Sequence, residues 1–511
     1  MPAAAKQQDV IIVGAGPAGS SVATFLARAG VSCLLLERHH FRRDKVCGDG
    51  LTPQALYWLE QLGCVDAVLE HTDCCIKECD LYINGRYVFS GRFPENTPYP
   101  PFCILLDRKR LDHLVVQNAV ACGASLLEGV HVRNVVREKD GIAVEATFAG
   151  NTEHFRTKLL VGADGAGSVV SRFIGNSPKD LTKAVSVRAY YEGAKVERSL
   201  VRVYFNEEFF PGYAWIFLDD HGHANIGLGY VCDGTFPLRI DIKDAFQKFI
   251  EKDLGDVLAK GTMAGCITGG WAAYCRPAAR CAERVLLVGD AANSGDPLNG
   301  GGIHKAFESG ALAASFLRQV LAEGDFSASS MARYDQLLEQ YWGVDWQSAE
   351  LLLTIAKNPH FRLLYLQLLE HIGELTRHDQ RFADFASGIF TGMVPQRWYL
   401  SPLALLSAFP RNPQAWLSLV TGSDGTRAAR SAAAAAQGVI AGLRGLLSHP
   451  SQNLAWALEV GAKSLNLGLN LTAQSMNSIG TLPQQFGWPT ASLAPGAEAR
   501  FNPVERSTAW Q

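Results

Sequence analysis

The stretch Asp9–Glu37, DVIIVGAGPAGSSVATFLARAGVSCLLLE, constrains the fold more than any other part of the chain. A short apolar run, Val10 to Val13, leads into Gly14, Gly16 and Gly19 in G-x-G-x-x-G spacing. Ser20 to Ala29 then has helical character, and Val31 to Leu36 has the continuous apolar content of a buried strand. Each glycine has a mechanical reason. Gly14 permits the tight strand-to-helix turn, Gly16 lets the backbone approach a pyrophosphate, and Gly19 lets helix and strand pack closely. The helix start offers unpaired N–H groups and a positive dipole end to phosphates. Glu37 stands 18 residues beyond Gly19, where an acid accepts hydrogen bonds from ribose hydroxyls. A turn without a ligand would explain the glycines, but not a strand, helix and acid at these offsets. The unit is a dinucleotide-binding pattern.

Two further glycine–acid elements follow. Lys158 to Val161 is a buried strand ending in Gly162-Ala-Asp164-Gly-Ala-Gly167, and Arg284 to Asp290 repeats the arrangement. Gly295 to Gly302 is a second glycine-rich loop ahead of a helical stretch, Ile303 to Ala322. An acid and a glycine at a strand's end mark where a doubly wound sheet binds ligands. After Glu37 a basic connector, Arg38 to Lys45, leads into the tight Val46-Cys47-Gly48-Asp49-Gly50 loop. Thr52 is the expected N-cap, and Pro53 the first turn, of a helix through Leu62. Residues 76–106 and 183–275 alternate like antiparallel strands, interrupted by one helix, Ile242 to Leu254. Beyond Met331 the pattern is helical, with stretches at Met331 to Ala356 and Phe361 to Leu375. Arg427 to Leu447 is alanine-rich, and Pro483 to Gln511 is expected to be irregular. Leu465-Asn-Leu-Gly-Leu-Asn-Leu471 repeats every two residues, which leaves strand and helix both open there.

A length of 511 residues suggests two to three domains, and a net charge of −3 excludes the basic character of a nucleic-acid binder. The twelve cysteines are scattered and complete no zinc pattern, so no metal is expected. With no signal-peptide pattern at the N-terminus, the expectation is a reducing cytoplasm. No stretch resembles a membrane-spanning helix of about 20 apolar residues. From Ser401 onward seven Lys/Arg oppose four Asp/Glu. That positive, apolar tail suits peripheral membrane contact, a solvated helical cap or a dimer surface equally. Nothing in the sequence specifies an oligomer.

The three glycine–acid elements together resemble the FAD-binding signature of p-hydroxybenzoate-hydroxylase-type flavoproteins. Lys45-Val-Cys47-Gly48-Asp49 adds a family-specific segment, as does Pro211-Gly-Tyr213-Ala-Trp215-Ile-Phe217-Leu218 running into Asn225-Ile-Gly227-Leu-Gly229. With these the chain resembles the geranylgeranyl reductase family of FAD-dependent oxidoreductases over roughly residues 9 to 330. The resemblance implies an α/β fold with a Rossmann-like FAD-binding domain (1–73, 107–180 and 276–330). An interleaved antiparallel β-sheet substrate domain would take 74–106 and 181–275, and a mainly helical C-terminal region 331–511. It further implies that Gly14, Gly16, Ala18, Gly19, Glu37 and Arg38 hold the ADP half of FAD, supported by Arg108 and Asp164. Gly289 and Asp290 would bind ribityl or pyrophosphate oxygens. Pro297, Gly300, Gly301, Gly302 and Ile303 would face the flavin ring, with Cys47 and Gly48 beside it. Tyr213, Trp215 and Phe217 alternate along one strand and so share a face, either a substrate pocket wall or ordinary core. Two departures stand out: Leu218 replaces the family's proline, and Gly301 stands where many members have Glu.

The resemblance implies reduction of C=C bonds in a lipophilic, prenyl or lipid-like substrate, with Cys47, Tyr213 and Trp215 at the catalytic face. Electrons would come from an external donor, NAD(P)H or ferredoxin. The same fold also serves FAD monooxygenases of natural-product biosynthesis, which remains the alternative. Halogenation is disfavoured because the W-x-W-x-I-P motif of related halogenases is absent. Cys47 is either a proton relay at the ring or a buried, inert thiol.

Overall fold

The computed structural model describes residues 8–394 and 444–477, apart from 73, 96, 178–180 and 446. Most of the alanine-rich stretch and all of Pro483–Gln511 lie outside the described residues. Strand Gln8–Val13 sits in the middle of a parallel sheet, between Asn151–Gly162 and Cys33–Glu37. Val285–Leu287 and Ser125–Glu128 extend that sheet outward on either side, in parallel. Alternation along the central strand feeds two cores. Val10 and Ile12 pack with Val22, Leu26 and Phe316 under the helices, and Ile11 and Val13 with Leu34, Val144 and Val285 on the other face. Burial on both faces is why these strands are apolar without interruption.

The first helix spans Pro17–Arg28, so it begins three residues earlier than its apolar pattern suggests. Proline at the first helical position, where no N–H is needed, explains the early start. Gly19 therefore lies inside the helix. A Cβ there would stand 1.9 Å from the Gly14 carbonyl oxygen, so glycine is what lets the helix lie against the turn.

A second sheet has seven strands, in the order Thr262–Ala273, Lys183–Glu192, Ala224–Cys232, Ala214–Leu218, Leu200–Phe205, Glu78–Ile83, Arg86–Arg92. All pairs are antiparallel except Leu200–Phe205 with Glu78–Ile83. Helix Ile242–Asp253 seals its outer face with Phe246 and Phe249. Helices Ile303–Glu323 and Ala328–Ala356 run back over the first sheet. Helices Arg362–His378 and Gln380–Thr391 close onto strand Arg86–Arg92. There the Arg377 guanidinium donates to the Val88 carbonyl (Nε 2.8 Å), and Ser387 to that of Arg92 (2.7 Å).

The ambiguous 465–471 stretch belongs to one long helix, Pro450–Asn477. Two residues of helix turn the chain through about 200°. The alternating leucines therefore fall on opposite sides, with Leu467 buried and Leu465 and Leu469 exposed.

Candidate active site

One cavity of about 740 Å³ runs between the two sheets. At one end stand the glycines of the first turn. Gly14 has φ 98°, and a Cβ there would lie 2.4 Å from the Ala163 carbonyl oxygen. Gly16 differs: a Cβ would meet only the Arg43 guanidinium, at 3.6 Å, so this backbone faces open cavity. Gly16 is also the N-cap of helix Pro17–Arg28, and no side chain caps it. Helix Ile303–Glu323 likewise begins uncapped, at Gly302. Two helix N-termini thus present unpaired N–H groups and positive dipole ends to one cavity, an arrangement that favours anionic groups. Ala18 packs on the same turn, close under Gly289, whose Cβ would lie 2.8 Å from its own.

Glu37 is buried at the end of its strand. Its Oε2 accepts from the Ala15 amide at 3.0 Å, and Oε1 from the His39 amide at 2.9 Å. Arg43 reaches Glu37 at 3.3 Å and Asp112 at 2.9 Å, and Arg108 grips Asp112 bidentately at 2.8 and 2.9 Å. Burial pushes the Asp112 carboxyl up, yet Arg108 and then Arg43 hold it below the usual carboxylate range. Arg38 is exposed at the rim, against His39 (3.0 Å). Asp164 lines the cavity, but both its oxygens serve the next turn, one bonded to Ser168 and the other accepting from the Val169 amide at 2.7 Å. Lys45 holds Asp290 at 2.9 Å and keeps its carboxyl below the ordinary value.

The second glycine loop is held by two tyrosines that stand beside strand ends of the other sheet. Tyr213 donates to the Asn299 carbonyl at 2.8 Å, and Tyr274 to that of Gly300 at 3.4 Å. Gly300 has φ 71°, and a Cβ there would stand 2.7 Å from the Tyr213 hydroxyl. At Gly301 a Cβ would stand 2.6 Å from the buried His304 ring and 2.7 Å from Asn299 Oδ1. That crowding accounts for glycine at 301. Burial lowers the His304 pKa to about 3, so the ring is neutral. Pro297, Gly302 and Ile303 complete this wall.

Cys47 sits where the loop meets the aromatic strand. Burial pushes its thiol pKa up, against the nearby Arg108 charge, so the sulfur keeps its proton at neutral pH. The loop is tied down through Asp49, a non-glycine residue at φ 63°. Asp49 Oδ2 accepts from the Tyr190 hydroxyl at 2.6 Å and from Asn225 Nδ2 at 2.8 Å. Asn225 also donates to the Cys47 carbonyl at 2.8 Å and accepts from Trp215 Nε1 at 3.0 Å. Gly48 passes so close to Phe217 that a Cβ would come within 2.5 Å of its ring. Gly227 lets the Trp215 indole lie flat, since a Cβ there would be 2.0 Å from it. Tyr213, Trp215 and Phe217 do share a face, with successive ring centroids 6.1 and 6.3 Å apart, and all three line the cavity. The polar hydrogens of Tyr213 and Trp215 are committed to Asn299 and Asn225, which makes both residues walls rather than acids.

Past these rings the cavity turns apolar. Phe205 of the second sheet and Phe210 of the turn after it line the cavity, with Leu353, Ala356, Leu369 and Phe390 from the helices beyond residue 328.

Residues 7–222 match the model of an FAD binding domain, and residues 180–269 that of a geranylgeranyl reductase catalytic domain. The chain is 30% identical over 380 residues to digeranylgeranylglycerophospholipid reductase 1 of Methanopyrus kandleri, covering 72% of this chain and 96% of the relative. The chain belongs to the geranylgeranyl reductase family. It is an FAD-dependent oxidoreductase. A menaquinone reductase of Mycobacterium tuberculosis is 29% identical over 406 residues, covering 76% of this chain and 91% of that one. The crystal structure of a geranylgeranyl bacteriochlorophyll reductase-like protein from Thermoplasma acidophilum shares the fold. Its TM-score is 0.62 at 22% identity, covering 81% of this chain and 98% of that one.

Several residues of this geranylgeranyl reductase family site escape a reading of the sequence. Arg43 and Asp112 complete the charged cluster at the nucleotide end, and only the density of basic residues at 38–45 hinted at the former. Tyr190, Tyr274 and His304 carried no motif signal. Leu353, Leu369 and Phe390 lie in helices that look like any other amphipathic helix.

Proposed function

We propose that this reductase saturates C=C bonds in the prenyl chain of a membrane lipid or lipid-like quinone, drawing electrons from NAD(P)H or ferredoxin. The observation that carries the reading is the apolar cavity end meeting the glycine loops across Cys47 and the aromatic strand. When bound and reduced, FAD would supply a hydride to this site. Gly14, Gly16, Glu37 and the two helix N-termini would hold the cofactor, with Asp290, paired to Lys45, beside them. The Tyr213, Trp215 and Phe217 rings exclude water and orient the chain. Cys47 Sγ–H, kept protonated by burial, gives its proton to the second carbon, and Arg108 stabilises the thiolate left behind. Relatives named for prenylated glycerophospholipids and menaquinone support a substrate that lives in a membrane, met at its surface.

The test is anaerobic reduction of the yellow protein followed by a polyprenyl substrate or by oxygen. Reoxidation by the alkene with gain of two hydrogens in the product is expected. An oxygenated product, with no saturation of any alkene, would overturn the reading in favour of a monooxygenase.

A further inference from the structure

Helix Pro450–Asn477 is built inside out. Its only two charged residues, Glu459 and Lys463, both point into the protein. Lys463 pairs with Glu350 at 2.9 Å, and Glu459 with the buried Lys357 at 2.7 Å. Trp456 Nε1 donates to the Thr354 carbonyl at 2.7 Å, and Asn470 to Gln347 at 2.9 Å. The opposite face carries Leu454, Leu458, Leu465 and Leu469, which are 62%, 66%, 64% and 61% exposed. Ala457, Gly461, Ala462 and Gly468 lie between them, and all eight fall within an arc of about 140° at 3.6 residues per turn. Over residues 450–471 no charged side chain interrupts this face. A water-facing helix turns its apolar stripe inward and its charges outward. Polar and small residues toward neighbouring helices, with leucine outward, are the arrangement of a helix bordering lipid.

We propose that the Leu454–Leu469 face is a membrane-docking surface that lies in the plane of a bilayer interface. No described helix is long and apolar enough to cross a membrane, so an in-plane position is the one this helix fits. Its place in the fold agrees. The helix packs on Ala328–Ala356 through Gln347, Glu350 and Thr354, while Leu353 and Ala356 of that same helix wall the apolar end of the cavity. A bilayer on the leucine face therefore lies one helix away from the space proposed for the prenyl chain. A second copy of the chain is the poorer occupant. Paired helices fix register and partner through charges flanking the apolar seam, and the flanks here are Ala455, Ala457, Ala462 and Ser464. The docking surface deepens the lipid-substrate reading, but its existence is tested separately.

Full-length, FAD-loaded protein is floated with phosphatidylcholine vesicles at low salt and at about 0.5 M salt, where charge attraction is largely screened. Wild type should float at both. Leu458→Glu with Leu465→Glu should reduce the floated fraction at least about tenfold, because apolar burial drives such binding. FAD content and melting temperature should be unchanged. If that variant does not fold, Leu458→Gln with Leu465→Gln should shift flotation in the same direction. Wild type that stays with the soluble fraction, or variants that float like wild type, would overturn the proposal. So would a wild-type dimer in light scattering that the substitutions dissociate without any flotation, which would assign the face to a second copy. Reduction of a vesicle-embedded polyprenyl lipid should slow in the variants, while reduction of a short prenyl alcohol dispersed in water should not. If no alkene is reduced, the substrate reading fails and the flotation result still decides the surface.

Discussion

The two ends of the cavity are made of different material. The nucleotide end is mostly backbone: bare glycines, two uncapped helix starts and a few charged pairs such as Arg108–Asp112 and Lys45–Asp290. The apolar end is side chains, contributed by a sheet and three helices from distant parts of the chain. A backbone surface tolerates almost no substitution, because any Cβ fills the space the ligand needs. A side-chain surface tolerates many, provided volume and polarity are kept. The first end should therefore fail all at once under substitution and the second by degrees.

The sharpest way to break that contrast is Gly16→Val. Gly16 is extended, with φ −76°, and its Cβ would meet only Arg43, so the fold should survive while FAD retention is abolished. Chromatography of released flavin beside a thermal melt checks both halves. Gly19→Val should instead lose the fold, since its Cβ would collide with the Gly14 carbonyl.

Cys47 sits on the seam between the two ends. If its thiol moves the proton, Cys47→Ser should lower turnover by about 10²–10⁴ while the flavin spectrum and FAD content stay at wild type. A full rate in single-turnover flavin reoxidation would make Cys47 a packing residue.

How much of each end was legible in the sequence follows from the same contrast. Gly14, Gly16, Gly19 and Glu37 could be placed in a strand–turn–helix–strand unit by spacing alone, because so tight a turn allows few other residues. The Lys45–Asp49 and Asn225–Gly229 segments stand out only through family resemblance. Their physical reasons, an Asp49–Asn225 tether and a glycine beneath an indole, need three-dimensional neighbours. Leu353, Leu369 and Phe390 were invisible, since nothing in an apolar helix position says whether it faces a core or a cavity. The 465–471 alternation left strand and helix open, because a period of two can also place alternate residues on opposite helix faces.

The apolar end yields more gently. Leu369→Trp narrows the cavity without touching the nucleotide end, so kcat/KM for a long polyprenyl substrate should fall about 10- to 200-fold, the range for small volume changes in hydrophobic pockets. FAD affinity, read by apoprotein titration, should not change.

The smallest effect belongs to Asp49. Burial pushes its pKa up to about 6, against about 3.9 in an unfolded chain, so the folded state binds the extra proton between those values. Its contribution to stability is present below pH ~4 and is lost as pH rises through about 6. Melting temperatures of wild type and Asp49→Asn across that range should converge at the acid end and separate toward neutral pH, with wild type losing ground. Parallel curves would show that the carboxyl does not titrate in the window.

The order of the parallel sheet bears on how the protein is made. Strand Gln8–Val13 pairs with Asn151–Gly162, and that strand with Val285–Leu287, which leads directly to Asp290. On the ribosome the first glycine turn and its neighbour Cys33–Glu37 emerge long before Asn151–Gly162 and Val285–Leu287, the strands on the other side. Until then Val10–Val13 and Cys33–Leu36 have no finished core to enter, and such apolar, unpaired edges are what chaperones bind and aggregation exploits. A chain stopped anywhere before residue 285 would carry the most recognisable motif of the protein without the strand that leads to Asp290 or the Gly295–Gly302 loop.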